Sequence, residues 1–268
     1  MTNYISYSLF GSGEMYLNGA IMNIENNAIL MPEWTSIVYV SESIYTKYEN
    51  TFKKLNCKIV KVKSEENQIS TIWRFFATDL TDSELILFRD CDSLITEREV
   101  VLIKHWVNSN HALHIIRDHP LHVSPIMAGL CGVRKKRIQN LLESFLKTKF
   151  IDQYGIDQWF IHKELYQKHH GDWLIHDAFY SREGATHFPT TRPNEEDYIG
   201  MRIVSEKNSK VHIEDFDNIL LKSRMRKFKV IFYPLLFINN LRINLYFDIK
   251  TKLFGHRVKV KLEQIIDS

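Results

Sequence analysis

Leu85-Ile86-Leu87-Phe88-Arg89-Asp90-Cys91-Asp92-Ser93 is the stretch on which the reading of the fold turns. A short apolar run ends abruptly in an arginine and two aspartates one residue apart. An unbroken apolar run reads as a strand buried on both faces, the parallel kind, and open α/β sheets bind ligands at the carboxyl ends of such strands. Two carboxylates this close repel each other, and a hard divalent cation that also takes phosphate oxygens relieves the repulsion. The stretch therefore points to a metal and nucleotide-diphosphate site. Asp-x-Asp alone occurs often in solvated turns, so its setting matters. Here Thr96-x-x-Glu99 follows as a capping box opening a helix through Val107, giving strand, charged turn and helix in succession.

The same alternation extends outward from the motif. Upstream, residues 4–10 read as a first strand turned by Gly11 and Gly13, 15–30 as a helix, 36–40 as a second strand, 43–55 as a helix, 58–62 as a third strand and 68–80 as a helix. Downstream come a helix over 97–107 and a strand over 111–117 that runs into Asp118-His119-Pro120. A basic amphipathic helix over 135–149 and an aromatic-rich helix over 156–170 follow. This rhythm predicts an α/β fold with a mostly parallel central sheet and flanking helices.

Composition fits one large domain, or one domain with an appendage: 268 residues, 44% hydrophobic, 25% charged and only six prolines, enough to bury a sizeable core. No run reaches the ~18 apolar residues of a spanning helix, and residues 1–10 lack the basic start and long apolar stretch of a signal peptide. Cys57, Cys91 and Cys131 are odd in number and show no zinc spacing, which suits a reducing, cytoplasmic compartment. Charge is uneven. Lys222 to Lys261 holds eleven Lys and Arg against Asp248 alone, a net of +10, whereas the first 221 residues carry −5. The division expected is an acidic catalytic body, 1–221, and a basic, aromatic-rich helical or irregular appendage, 222–268. The appendage suits peripheral contact with an anionic membrane through 222–261, or packing against the acidic body. It lacks a recognisable RNA-binding signature, so no nucleic acid partner is expected.

Five motifs together resemble a known family: "FRDCDS" closing the Rossmann-like half, "WRF" (Trp73–Phe75), "IRDHP" (Ile116–Pro120), "YGIDQWF" (Tyr154–Phe160) and "HFP" (His187–Pro189). Over roughly residues 4–200 the chain is similar to GT-A-fold glycosyltransferases, distantly to the family 8 type. It lacks that family's late His-x-x-Gly-x-x-Lys-Pro-Trp signature.

The resemblance implies a nucleotide-sugar donor, a UDP-sugar first, and a hydroxyl acceptor on a glycan, protein or lipid. Asp92 and Asp90 would hold Mn²⁺ or Mg²⁺, which neutralises charge on the leaving diphosphate; Asp90 would alternatively contact the ribose. His187, in a Gly-Ala-Thr-His-Phe-Pro loop, is the candidate third ligand, with His176 as its rival. By analogy Arg74 approaches the phosphates, where a guanidinium can fork onto two oxygens. Ser8, Phe10 and Gly11 would contact the nucleotide at the mouth of the first strand. Asp118 and the Asp157-Gln158 pair would face the donor sugar, either aspartate being a possible base, with Arg117 and His119 supporting Asp118. Gly129 and Gly132 would let sugar or acceptor approach the backbone. Two other classes stand beside this reading. A sugar nucleotidyltransferase has a similar sheet but expects Arg and Lys in the loop after its first strand, and residues 10–18 contain neither. The third is a catalytically inert membrane-docking module.

Overall fold

A computed structural model of the protein describes residues 1–119, 121–179, 183–192, 197–203 and 226–265, with side chains in the last stretch from Ile238 to Glu263. The first half follows the predicted alternation. Strands β1 (Thr2–Leu9), β2 (Trp34–Ser41), β3 (Lys58–Lys63) and β4 (Ser83–Arg89) are joined through helix α1 (Glu14–Leu30), helix α2 (Glu42–Phe52) and a 3₁₀ helix (Gln68–Asp79). Strands β5 (Leu113–Arg117), β6 (Leu130–Arg134), β7 (Trp173–Asp177) and β8 (Lys261–Ile265) complete one sheet in the order β7-β5-β6-β4-β1-β2-β3-β8. β1 is parallel to both β2 and β4, β2 to β3 and β5 to β7, while β6 and β8 run antiparallel to their neighbours.

Side chains alternate across this sheet as the pleat requires. Tyr4, Tyr39, Ile86 and Phe88 pack on one face with Trp73, Phe75 and Phe76; Ile5, Val38, Leu85 and Leu87 pack on the other with Leu17, Ile24 and Trp106. The covering helices are α1 and α3 (Glu97–Asn108) on the second face. On the first lie the 3₁₀ helix, α4 (Leu141–Lys147) and α5 (Ile156–Ile161), which runs into a π-helical turn, His162–Gln167. Thr96 caps α3 by accepting from Glu99 N at 3.2 Å, as its spacing predicted. The reciprocal half of the box is not made: Glu99 turns inward to Arg89 at 2.9 Å, and burial pushes its carboxyl up to about 7 against the pull of that arginine.

Three stretches differ from the sequence reading. The helix expected over 135–149 is a single 3₁₀ turn, Lys135–Arg137, and then α4, with Asn140 starting the helix. β6 and β7 fall where no strand was expected. Residues 226–265 supply helix α6 (Arg226–Phe254) and the edge strand β8, which pairs with β3 and sets Glu263 beside Lys61 at 3.3 Å. Helix α6 meets the body through Phe247, stacked on Trp159, and through Asp248, which accepts from Trp159 Nε1 at 3.1 Å. The boundary placed at 221 and the side chains of the basic-aromatic run to Phe237 lie outside the described residues. No helix among the described residues is long and apolar enough to cross a membrane.

Candidate active site

β1 has neighbours on both sides that follow it in the chain: β2 and β3 build outward one way, and β4 returns to its other edge. At such a switch point the connections leave the carboxyl ends in opposite directions and open a crevice between them. A cleft of about 1320 Å³ lies there. Ser8 and Phe10 line it from the end of β1, Asp90, Cys91 and Asp92 from the end of β4, and Asp157 and Gln158 from α5. Eight of the residues singled out from sequence therefore meet in one place: Ser8, Phe10, Arg74, Asp90, Asp92, Gly129, Asp157 and Gln158.

Arg74 reaches the cleft because the 3₁₀ helix is tied to β1. Ser6 Oγ donates to Arg74 O at 2.7 Å, Ser8 Oγ donates to Thr71 O at 3.0 Å, and Arg74 N donates to Ser8 Oγ at 2.8 Å. The guanidinium is buried, so it must be paired. Nη1 is hydrogen-bonded to Asp90, and Nη2 contacts Asp157 Oδ2 at 2.5 Å. One cation thus joins two carboxylates from different elements, leaving Nε buried without a partner. Burial raises the Asp157 pKa and Arg74 pulls it back. Asp157 Oδ1 also accepts from Gln158 N at 2.8 Å, at the first turn of α5, where a helix dipole favours an anion. Gln158 ties α5 to the loop before β6: Nε2 donates to Ile126 O, and Oε1 accepts from Ala128 N at 3.0 Å.

That loop leads to Gly129, where a Cβ would overlap Oδ2 of Asp90. The absent side chain is what leaves room for the carboxylate. Gly132 serves packing instead, against Leu87 and Trp106. On the far side of the aspartate turn α1 approaches so closely that a Cβ at Gly19 would overlap Cys91 O, and Asn23 Nδ2 donates to the same oxygen at 3.2 Å. Cys91 is buried and its thiol pushed up by that burial, so it fills space. Asp92 faces Arg202, whose Nε lies 2.6 Å from Oδ2 and whose Nη2 donates to Tyr16 OH at 2.8 Å. Ile203 N donates to Asp92 O at 2.6 Å, so residues 202–203 clasp the turn from outside. Sequence reasoning missed Arg202 and Tyr16, which no motif marks, and it missed Asn240, Arg242 and Tyr246, by which α6 borders the cleft.

Several expected residues are not brought into the cleft. Asp118 is fully buried, held by Arg98, by Arg192 at 2.8 Å and by Ile199 N at 2.9 Å, so it has no free face for a sugar. Its supporters are Arg98 and Arg192. Arg117 instead pairs with Glu183 at 2.7 Å and Asp177 at 3.4 Å. His187 is exposed and does not line the cleft. His176 is buried on β7 between His105 and His114, each ring nitrogen 3.0 Å from its neighbour, and burial holds its pKa down at about 4. Neither histidine joins the aspartates, and among the described residues no group of three His, Cys, Asp or Glu side chains could hold a metal alone. Gly11 turns the chain with φ +78° and its N–H donates to Glu66 at 2.8 Å, beside the cleft but outside its lining.

No family model matches the chain, and no curated protein matches it in sequence. In fold it is similar to 4-diphosphocytidyl-2C-methyl-D-erythritol synthase from Anaerococcus prevotii, at 12% identity over 81% of this chain and 98% of that one, TM-score 0.49. It is similar also to a glycosyltransferase involved in glycosylating the major capsid of PBCV-1, at 15% identity over 80% and 100%, TM-score 0.46. A third is the mannosyltransferase PcManGT from Pyrobaculum calidifontis in complex with GDP-Man and Mn²⁺, at 13% over 68% and 57%, TM-score 0.42. At these values the likenesses carry no functional inference.

Proposed function

We propose that the protein is a metal-dependent glycosyltransferase that moves a sugar from a nucleotide sugar to a hydroxyl acceptor on a glycan, protein or lipid, with UDP favoured by the resemblance of its motifs. The observation that carries this reading is the place of the acidic pair: Asp90 and Asp92 leave β4 at the switch point, in a cleft that the end of β1 also lines. Ser8 and Phe10 would lie toward the nucleoside, and Asp157 toward the sugar.

The residues fit a divalent cation on one structural ground. The missing side chain at Gly129 makes room for the Asp90 carboxylate, which stays half-exposed although Arg74 holds its Oδ1. Mg²⁺-type ions need only one or two carboxylates when substrate phosphates complete the shell, so a missing third protein ligand is compatible with such an ion. When bound, the cation would neutralise charge on the leaving diphosphate. Arg74 fixes Asp90 and Asp157 at a set separation and adds positive charge beside the phosphates. Asp157 would stabilise positive character at the anomeric carbon or take the acceptor proton.

A panel of nucleotide sugars with Mn²⁺ tests this through release of free nucleoside diphosphate. We expect at least one donor to be hydrolysed slowly without acceptor, and EDTA to stop it. Formation of a nucleotide sugar from a nucleoside triphosphate and a sugar phosphate would replace this reading with the nucleotidyltransferase.

A further inference from the structure

Helix α6 has two opposed faces. Among its described side chains Asn240, Asn244, Phe247 and Thr251 are partly or fully buried, spaced four, three and four apart, and form the seam on the body, with part-buried Lys250 beside it. Ile238, Leu241, Leu245, Ile249 and Leu253 fall at the same kind of spacing and are 49–66% exposed. Ile238 and Phe247 are nine positions apart, about two and a half turns, so this second line runs along the side away from the seam. Five large aliphatic side chains in one row facing water are the mark of a covered surface. Arg242 and Lys252 flank the row, and the surrounding sequence from Lys222 to Lys261 is net +10.

Charge and shape select the occupant. A second copy of the chain would bring one +10 segment against another. Nucleic acid would use the cations, but the row itself is aliphatic and offers no ring to stack on; the exposed rings on this helix, Tyr246 and Phe254, lie outside it. An anionic bilayer takes both, since cations meet head groups while aliphatic side chains enter the acyl boundary of a helix lying in the interface. Leu245 and Ile249 also border the cleft, together with exposed Leu121 and Tyr154, so the apolar row runs into the mouth of the site.

We infer that α6 seats the protein on an anionic lipid surface through Ile238, Leu241, Leu245, Ile249 and Leu253, and that the acceptor is an amphiphile anchored in that surface, its head group entering the cleft past Leu245 and Ile249. The acceptor half rests on the glycosyltransferase reading above.

The test uses the full chain and vesicles of phosphatidylcholine, with or without phosphatidylglycerol, in co-sedimentation at low salt. Wild type should bind only the anionic vesicles. An Ile238→Glu/Leu241→Glu/Leu253→Glu variant, altered only at exposed positions outside the cleft, should bind at least tenfold more weakly with unchanged melting temperature and unchanged UDP–Mn²⁺ calorimetry. Equal binding by wild type and variant, or no binding by wild type, overturns the seat. So does a concentration-dependent dimer that the variant abolishes, which would make a second copy the occupant. For the acceptor, octyl and methyl glycosides of the same sugars are compared; octyl should give at least tenfold higher kcat/KM, and equal values overturn the amphiphile. Loss of UDP binding in every sample with vesicle binding intact would sink the donor reading and leave the seat standing.

Discussion

Two Arg-Asp pairs close two strands of one sheet, Arg89-Asp90 after β4 and Arg117-Asp118 after β5, and they have opposite fates. Asp90 meets a glycine on one side and stays half-exposed in the cleft; Asp118 meets Arg98 and Arg192 and is sealed. Each arginine turns away from its own aspartate, Arg89 to Glu99 and Arg117 to Asp177 and Glu183. Identical dipeptides at equivalent strand ends thus become a site or a strut according to what the rest of the chain sets opposite them. A strut should answer mutation in stability, and a site in binding or rate.

The largest effect should come from the strut. Asp118→Ala leaves two arginines around a buried vacancy, and breaking a buried pair in this way costs about 3–5 kcal/mol. Thermal denaturation should show it, while the protein that remains folded binds UDP and Mn²⁺ as wild type does; a normal melting temperature with lost binding would reverse the comparison. Next is Asp157→Asn on the site side, expected to lower kcat by roughly 10²-fold with little change in UDP affinity, the pattern of an interaction used mainly in the transition state. Equal loss of UDP binding would put Asp157 beside the nucleotide instead.

The sealed half should also set acid stability. His176 is held at about 4 in the fold against 6.5 as the ordinary value, so below pH 6.5 the unfolded chain takes up a proton that the native state refuses. Its contribution is whole above pH 6.5 and is lost as pH falls toward 4, about 3 kcal/mol. His176→Gln should flatten the melting temperature between pH 7 and pH 4.5 relative to wild type; parallel profiles would remove the histidine from the account. Smallest is Gly129→Ala, whose methyl would crowd Asp90 and should weaken cation-dependent UDP binding about tenfold. An unchanged affinity would mean that the position Gly129 allows Asp90 is not used by the cation.

What was legible in the sequence follows the same division. β1 to β4 are apolar runs separated by helical segments, so their order, their parallel sense and the aspartates at the end of β4 can be read locally. β6 and β7 cannot: Leu130–Arg134 contains Cys131 and Gly132, Trp173–Asp177 contains His176, and each is five residues long. Arg202 escaped because its partner is 110 residues away in sequence and no motif links them. Asp118 was misplaced for the converse reason: its local setting matched that of Asp90, and the arginines that seal it come from α3 and from a distant loop.

The central claim is that the end of β4 forms a cation-dependent donor site, and Asp92 tests it most directly because, among the described residues, its carboxylate pairs with the half-exposed Arg202 side chain and not with a core group. Calorimetric titration of UDP into wild type and Asp92→Asn, each with Mn²⁺ and with EDTA, is the measurement. The account predicts UDP binding by wild type that is at least tenfold tighter with Mn²⁺, and an Asp92→Asn protein of unchanged melting temperature in which that gain is gone. A Mn²⁺-dependent gain of equal size in both proteins would contradict it.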